Sequence, residues 1–500
     1  MRDNFPGKAF FFREKPSRLQ DILNLIDNKY VDTVNVDNLT DSAIISILNK
    51  LDPHSVFIPA KDVEQINEEI KGSFYGVGIE FSIFEDTLHV TNILKDGPAF
   101  KAGMMIGDQM LKANDSLVSG VKSTSDRIRS LLHGPLGSAV KIEILRGNDH
   151  KVLTLKRDII PISSIDASYM LDSANGYIRI NKFTTETYRE FMENLMKLKG
   201  TGMKSLVLDL RDNGGGVLDQ AVEIADEFLP GDKLITYTQG AHIPKKEYRC
   251  KRTGQFEDGN IVVLVNEGTA SASEILIGAL QDWDRATIIG KRTFGKGLVQ
   301  EQFTLADNSA LRLTVARYYT PVGRSIQRSY ALGSKAYYED IYNRSADTAS
   351  NSNINKDKIY TTPSGKKIYG GGGITPDYFV DRDTSQLGYY SAILFSKGMF
   401  TNFGYKYYLA HPDLQQKYKT AEDFTDNFQF LDHDWQSFEN GLVKDSIYLT
   451  GIADKEKTFI KKILKTSIAR QLYRSQGYFE TVNKDDSIML KALEVLKSKK

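Results

Sequence analysis

Three short apolar runs in the middle of the chain constrain its fold more than any other feature. They occupy residues 205–210, 261–265 and 286–289, and glycine or polar residues follow each one. Runs this short and this apolar are typical of buried strands. The stretches between them carry apolar residues at helical spacing. Strands that alternate with helices predict α/β layering, in which helices cover a sheet.

Length, charge and cysteine content limit the number of domains and the classes of partner and cofactor. The chain has 500 residues, which is long enough for about three or four domains of ordinary size. The formal net charge of +1 gives no general attraction to nucleic acid or to a membrane surface, so no nucleic-acid partner is expected. The lone cysteine, Cys250, excludes an internal disulfide framework and a multi-cysteine metal site. We therefore predict neither a metal nor a cofactor.

Changes in pattern along the chain predict four regions. Residues 1–71 carry helical spacing, and Pro53 should end the second helix. Residues 72–157 show short alternating strands and glycine turns, with one helix at Ser125–Leu132. Residues 158–384 hold the α/β pattern described above. Residues 385–500 are aromatic and then strongly helical, and the sequence assigns them no role.

Two segments bear on mobility and on location. Residues 344–358 are rich in Ser, Asn and Asp and are predicted to form a mobile loop. No apolar run approaches the roughly 20 residues that cross a bilayer, and the apolar patch at residues 9–12 is too short for a signal-peptide core. We therefore expect either a cytosolic protein or a chain that lacks its native targeting segment.

Ser271 stands where a buried strand gives way to a helix. The strand at 261–265 runs into a Gly- and Ser-containing turn, and apolar residues at helical spacing follow. The first N–H groups of a helix are unpaired and attract negative charge. A serine at that point can attack a carbonyl while these donors stabilise the oxyanion. A simple capping role remains the alternative for Ser271, and Ser273 is suited to it as well.

A nucleophilic serine needs a base, and the nearest candidate is Lys296. None of the seven histidines lies near Ser271 in sequence. A lysine can act as the base if burial lowers its pKa enough to leave the amine neutral. Lys296 lies between two glycines, and Gln300 is close enough along the chain to orient the amine.

The same loop matches the spacing of a phosphate-binding P-loop, which is a competing interpretation. Residues 290–296 follow a strand and end in Gly-Lys. The next residue is Gly297, so the Ser or Thr that would bind magnesium is missing. Residues 298–303 also predict a strand and not the helix that a P-loop requires. We expect no stabilisation of the protein by nucleotides.

Several motifs, taken together, resemble the carboxy-terminal processing proteases of the S41 family. The motifs that carry this resemblance lie at residues 51–55, 210–216, 269–274, 294–300, 319–327 and 373–377. The resemblance implies that Ser271 is the nucleophile, Lys296 the general base and Gln300 its hydrogen-bond partner. It also implies an oxyanion hole made by the N–H groups of Ala272 and Gly216. A plain tight turn remains the alternative for the glycine-rich segment.

Residues 72–157 resemble a PDZ domain, which binds the ends of polypeptide chains. Gly76, Val77, Gly78 and Ile79 resemble its carboxylate-binding loop. In such a loop, free N–H groups hold a terminal carboxylate, while an edge strand pairs with the peptide. Family members often carry an arginine where this chain has His133. Coupling between peptide binding and activation is therefore in question, and could depend on pH or be absent.

The resemblance implies a multidomain α+β architecture. It comprises an N-terminal helical region, a PDZ domain, an α/β protease core layered like the ClpP and crotonase folds, and a helical C-terminal extension. It further implies a periplasmic or cell-envelope location, with the targeting segment not present in this chain.

The implied function is a serine endopeptidase that acts through an acyl-enzyme on protein or peptide substrates with apolar C-termini. A homo-oligomer and an envelope adaptor protein are compatible with it. The alternative is a non-catalytic PDZ-containing scaffold, and the intact set of Ser271, Lys296 and Gln300 argues against it. We expect a competent dyad to bring Ser271 Oγ within about 2.6–3.2 Å of Lys296 Nζ.

Overall fold

The computed structural model describes residues 18–346, 358–381, 383 and 385–498. Most of the mobile loop predicted at 344–358 lies outside these residues. Among the helices of the described residues, none combines the length and the apolar character that a bilayer-crossing helix needs.

The N-terminal region is helical except for one short strand. Its elements are α1 (Arg18–Lys29), α2 (Val36–Leu48), β1 (Val56–Ile58) and α3 (Ala60–Lys71). The expectation of helix throughout this region is therefore wrong at β1. This segment pairs with a strand about 250 residues further along the chain, from Val56 opposite Arg312 to Ile58 opposite Ala310. Such a long-range partner leaves no local signal in the sequence.

A small β domain follows, and a pair of strands connects it to the rest of the chain. The connecting strands, β2 (Ser73–Gly76) and β9 (Asp158–Pro161), pair with each other antiparallel. Between them lie β3 (Ile79–Phe84), β4 (Thr87–Ile93), α4 (Pro98–Lys101), β5 (Gln109–Ala113), β6 (Ser116–Leu117), α5 (Ser125–Leu132), β7 (Ala139–Arg146) and β8 (Asp149–Lys156). The sheet order is β3-β4-β5-β7-β8, with β6 beside β5, so β3 is an edge strand.

The central region is the layered α/β structure that the apolar runs predict. Its first elements are β10 (Ile165–Met170), β11 (Asn175–Ile180), α6 (Thr187–Gly200), β12 (Ser205–Asp209), α7 (Leu218–Asp226), β13 (Leu234–Gln239), β14 (Lys246–Arg249), β15 (Asn260–Val265), α8 (Ala272–Asp282) and β16 (Ala286–Gly290). They are followed by β17 (Leu298–Thr304), β18 (Ala310–Tyr319), α9 (Gly333–Ala346), β19 (Ile359–Thr361), β20 (Lys367–Tyr369) and β21 (Tyr378–Phe379).

Two sheets organise this region. The main sheet has the order β10-β11-β12-β15-β16-β21, and all its neighbours are parallel except β10 and β11. The second sheet is antiparallel and joins β1, β13, β14, β17 and β18. Because parallel strands present their carboxyl ends along one edge, the turns after β12 and β15 lie side by side.

The C-terminal region is helical, as predicted. Its elements are α10 (Tyr389–Ser396), α11 (Met399–Ala410), α12 (Leu414–Lys417), α13 (Ala421–Asn427), α14 (Asp432–Leu442), a 3₁₀ turn (Val443–Asp445), α15 (Asp454–Val482) and α16 (Ser487–Ser498).

Helix α16 packs on one face of the main sheet. Successive strand residues point to opposite faces, so Leu206 and Leu208 pack among α6, α7 and α8 while Val207 packs against α16. On α16 itself, Met489 and Ala492 are fully buried in this contact. The last helix therefore closes one face of the sheet whose other face supports the candidate site.

Helix α15 touches both the β domain and the main sheet. Gln471 Nε2 donates to the Thr91 carbonyl of β4 at 2.7 Å, and Arg474 pairs with Glu80 of β3. A few residues on, Gln476 accepts from Ser168 N–H and donates to Ser168 O on the edge strand β10. Tyr473 and Arg474 have non-helical φ and ψ, so α15 is kinked between these contacts, and its two parts bond to the backbone of two separate sheets.

Candidate active site

Ser271 occupies a strained backbone position between β15 and α8. Its φ of 57° and ψ of −117° lie in a region that non-glycine residues rarely adopt. The turn is held by long-range bonds, since Thr269 Oγ1 donates to Leu210 O at 2.8 Å and Ala270 N donates to Asn213 O at 2.9 Å. A sharp strand-to-helix turn of this kind presents a nucleophile at the edge of a sheet.

The glycine-rich segment after β12 packs directly against this turn. A Cβ added to Gly215 would lie 2.7 Å from Ala270 O and 2.8 Å from Ala272 N, and the φ of Gly215 is +96°. A Cβ on Gly216 would lie 1.9 Å from Phe183 O. Both positions therefore require glycine. Within the described part of the chain, neither Gly216 N–H nor Ala272 N–H donates a hydrogen bond.

Lys296 lies on the loop between β16 and β17 and is partly buried. Its Nζ donates to Gln300 Oε1 at 2.9 Å. Burial lowers the pKa of Lys296, and the positive charge of Arg312 lowers it further, whereas Asp52 and Glu274 act in the opposite direction. The described contacts include no hydrogen bond between Lys296 Nζ and Ser271 Oγ, so the expected short contact is not formed in this structure.

Glu274 joins the serine turn to the lysine loop. Its carboxylate is fully buried and accepts from Ser271 N–H and Lys296 N–H, each at 2.9 Å. It also accepts from Gly295 N–H at 2.8 Å and from Thr293 Oγ1 at 2.5 Å. Burial raises the pKa of Glu274 to about 7 despite these four donors. One carboxylate thus fixes the backbone of both candidate catalytic residues.

Two further contacts bring the same segments together. The Tyr318 hydroxyl is buried and contacts Ser271 O at 3.0 Å and also Lys296 O. Phe294 N donates to Thr269 O at 2.9 Å. The lysine loop is therefore held close to the serine turn at Phe294 and Lys296.

A cavity of about 810 Å³ connects the β domain to the glycine-rich segment. Its lining includes Val77, Gly78 and Ile79 at one end and Gly215 and Gly216 at the other. Of the four residues predicted for the carboxylate loop, Gly76 alone is outside this lining; it ends β2. A chain end held by the loop would thus face a passage toward Ser271.

His133 lies on the wall of this cavity, at the end of α5. Its ring stacks on Phe74 of β2, with ring centroids 4.4 Å apart. Burial lowers the pKa of His133, and the charges of Arg129 and Arg157 lower it further. The ring therefore packs between helix α5 and the connecting strand β2, where burial disfavours its charged form.

Sequence reasoning missed Glu274, Tyr318 and His54 as members of the site. Glu274 had a usable signal, because a Glu three residues after a helix-capping Ser is the capping-box pattern. The Gln300 amide contacts the carbonyl of His54, which is 246 residues away in the chain. Tyr318 has no local pattern that could indicate such contacts, and the motif at residues 51–55 gave no sign that His54 lies beside Gln300.

Comparisons with known proteins identify two domain families in the chain. Residues 174–333 match the model of peptidase family S41, and residues 76–156 match that of the PDZ domain. Residues 389–474 match a family of unknown function.

Two of the curated relatives are bacterial proteins. A carboxy-terminal-processing protease of Bartonella bacilliformis is 37% identical over 317 residues, which cover 62% of this chain and 72% of that protein. A probable CtpA-like serine protease of Staphylococcus haemolyticus is 31% identical, over 75% of each chain. A solved photosystem II D1 C-terminal processing protease is 26% identical over 74% of this chain and 88% of its own, with a TM-score of 0.37.

The fold and these relatives define a serine-type peptidase that carries a PDZ domain. The chain belongs to peptidase family S41, the carboxy-terminal-processing proteases. The β domain is accordingly called the PDZ domain below.

Proposed function

We propose that the protein is an endopeptidase in which Ser271 is the nucleophile and Lys296 the general base of an acyl-enzyme mechanism. The observation that carries this proposal is the buried Glu274 carboxylate, which binds the backbone N–H of both residues at 2.9 Å. Burial also lowers the pKa of Lys296, as a lysine base requires.

In the acylation step, the neutral Lys296 amine takes the proton of Ser271 Oγ as that oxygen attacks the carbonyl carbon of the substrate. The negative charge develops on the carbonyl oxygen, where the N–H groups of Ala272 and Gly216 are the proposed donors. The Lys296 ammonium then gives its proton to the departing amine. This breaks the peptide bond and leaves an ester between the substrate and Ser271.

In the deacylation step, Lys296 takes a proton from water while the water oxygen attacks the ester carbonyl. The proton returns to Ser271 Oγ as the ester bond breaks, so the enzyme regains its starting state. Gln300 Oε1 accepts from the amine throughout and orients it. Catalytic hydrogen bonds are often long before substrate binds. We therefore propose that Lys296 engages Ser271 once a substrate is seated.

The PDZ domain is proposed to capture protein chains by their apolar C-termini. An extended peptide can pair with the edge strand β3, while its carboxylate meets the loop at residues 76–79. Apolar side chains of Ile79, Phe81 and Leu132 line the cavity there. Because the cavity continues to Gly215, a captured chain would be directed toward Ser271.

A bacterial periplasm or cell envelope is the proposed location, by analogy with the processing role in the names of the relatives. Assembly into a homo-oligomer and binding of an envelope adaptor protein are both compatible with this function.

Cleavage of an unfolded protein such as casein tests the proposal. Ser271→Ala and Lys296→Ala should each lower kcat by about 10⁴-fold or more, and the double variant should lose little beyond either single one. Lys291→Ala is the matched control, because this lysine of the same loop pairs instead with Asp381 at 2.8 Å. Wild-type kcat in Lys296→Ala would reject the lysine base. Wild-type kcat in Ser271→Ala would reject the acyl-enzyme.

A further inference from the structure

The segment at residues 52–55 lies beside the proposed base although it belongs to the N-terminal region. The Gln300 amide contacts both the proposed base and this segment. Its Oε1 accepts from Lys296 Nζ at 2.9 Å, and its Nε2 donates to the His54 carbonyl. The N-terminal segment is thus one hydrogen bond away from the residue that binds the base.

This contact fixes which end of the Gln300 amide faces the lysine. A carbonyl oxygen only accepts, and an amine bonded as here donates. A flipped amide would set its oxygen against the His54 carbonyl and its NH₂ group against Lys296 Nζ. When the lysine is neutral, that NH₂ group would donate a hydrogen bond to the amine lone pair, and this lone pair must take the proton of Ser271. The His54 carbonyl therefore keeps the lone pair available.

Asp52 holds the His54 carbonyl in place. Its side chain is only 7% exposed and accepts from His54 N–H and Ser55 N–H, each at 2.8 Å, and from Ser55 Oγ at 2.7 Å. Ser55 Oγ in turn accepts from Thr314 N–H of β18 at 3.1 Å. The segment is therefore anchored both by its own aspartate and by the second sheet, which also contains Gln300.

The aromatic ring of His54 adds a third anchor. Its Nε2 lies 2.9 Å from the Tyr337 hydroxyl, and its ring meets the Phe294 ring edge-on at 6.3 Å. Phe294 is part of the lysine loop. The His54 ring thus contacts the loop of the base through Phe294 and helix α9 through Tyr337.

We propose that Asp52 is a positioning residue of the protease: it shapes segment 52–55 so that the His54 carbonyl orients Gln300 and Gln300 orients Lys296. This role for Asp52 rests on the function proposed above, in which Gln300 orients the Lys296 amine.

Charge and geometry make separable contributions at Asp52. The charged and titratable groups facing Lys296 are His54 and Asp52 from the N-terminal region, Arg312 from β18 and Glu274 from α8. The negative charge of Asp52 raises the pKa of Lys296, whereas its hydrogen bonds shape the segment. Asp52→Asn removes the charge and keeps an acceptor for the two N–H groups. Asp52→Ala removes both.

The test is a double-variant cycle measured by casein cleavage, with rates normalised to folded enzyme. Asp52→Ala should lower kcat by about 10²-fold in the wild-type background, the effect of displacing a catalytic group by about 1 Å. In a Gln300→Ala background it should change kcat by no more than about twofold. Asp52→Asn should keep most of kcat and move the acid limb of the pH profile to lower pH. Asp37→Ala, which removes an exposed aspartate of α2, is the control.

Equal losses in both backgrounds would overturn the inference, and so would an Asp52→Asn variant as impaired as Asp52→Ala. If Asp52→Ala does not fold, Ser55→Ala takes its place in the cycle, and additive losses there would also overturn it. Ser271→Ala and Lys296→Ala are assayed in parallel. Activity in either of these would reject the proposed function itself, whereas their inactivity with an additive cycle would reject only the role of Asp52.

Discussion

Gly215→Ala tests how tightly the glycine-rich segment supports the serine turn. The new methyl group would lie 2.7 Å from Ala270 O, 2.8 Å from Ala272 N and 2.8 Å from Ser271 Cβ. Ordinary contacts of a Cβ lie at 3.4–4 Å, and two of these three neighbours are backbone atoms. Relief of the clash therefore requires the serine turn and the glycine segment to separate by roughly 0.6–1.3 Å, the shortfall from ordinary contact.

Two effects of this change have different sizes. The positive φ of +96° costs alanine about 1–2 kcal/mol of folding free energy. The displacement moves Ser271 and the Ala272 N–H relative to the substrate, and a shift of this size lowers kcat by about 10²-fold. Gly202→Ala is a matched control, because Gly202 has a φ of +98° and nothing within 4 Å of its added Cβ.

Urea denaturation and casein cleavage distinguish the two effects. Both variants should lose the free energy of unfolding that a positive φ costs, Gly215→Ala should lose more because of its clash, and Gly215→Ala alone should lose kcat. The reasoning is refuted if Gly215→Ala keeps wild-type kcat, or if Gly202→Ala loses as much kcat as Gly215→Ala.

Three further variants test the charge near Lys296, the contact between α15 and the PDZ domain, and the buried ion pair of Arg324. Arg312→Gln removes a positive charge that lowers the pKa of Lys296, so that pKa should rise and the acid limb of kcat against pH should move to higher pH. Arg474→Ala removes the ion pair between α15 and the PDZ domain, and should raise KM for a protein substrate by about two- to fivefold without changing kcat on short peptides. Arg324→Met leaves the fully buried Asp282 without its ion-pair partner, and should lower the free energy of unfolding in urea by about 3–5 kcal/mol.

Each of these variants has a control on an exposed arginine. Arg317→Gln changes the same strand as Arg312, Arg470→Ala changes the same helix as Arg474, and Arg249→Met changes an arginine paired at the surface. An unshifted pH limb in Arg312→Gln, an unchanged KM in Arg474→Ala, or a stability of Arg324→Met equal to that of Arg249→Met would contradict the respective prediction.

Local features of the structure could be predicted from the sequence. The three apolar runs form buried strands, and the helices between them lie on the main sheet, because periodicity and burial are set within a few residues. The position of Ser271 at a strand-to-helix turn follows from the same short-range pattern. The Lys296–Gln300 contact spans four residues and was predicted for that reason.

Contacts between distant segments could not be predicted. Strand β1 pairs with β18, about 250 residues away, and its sequence lies in a region of helical pattern. The His54 carbonyl reaches Gln300 through the same pairing. Helix α16 has an apolar face, but its sequence does not indicate which surface this face covers. In the structure it covers Val207 and its neighbours on the main sheet. The division of the chain into four regions stays a prediction.

Mass spectrometry of the quenched enzyme tests the central claim most directly. A peptide substrate is mixed with the protein, the reaction is stopped in acid during turnover, and the digest is searched for an acylated fragment. The account predicts the acyl group on Ser271, and predicts no adduct in Lys296→Ala. Full turnover without an adduct, or an adduct on another residue such as Ser273, would contradict it.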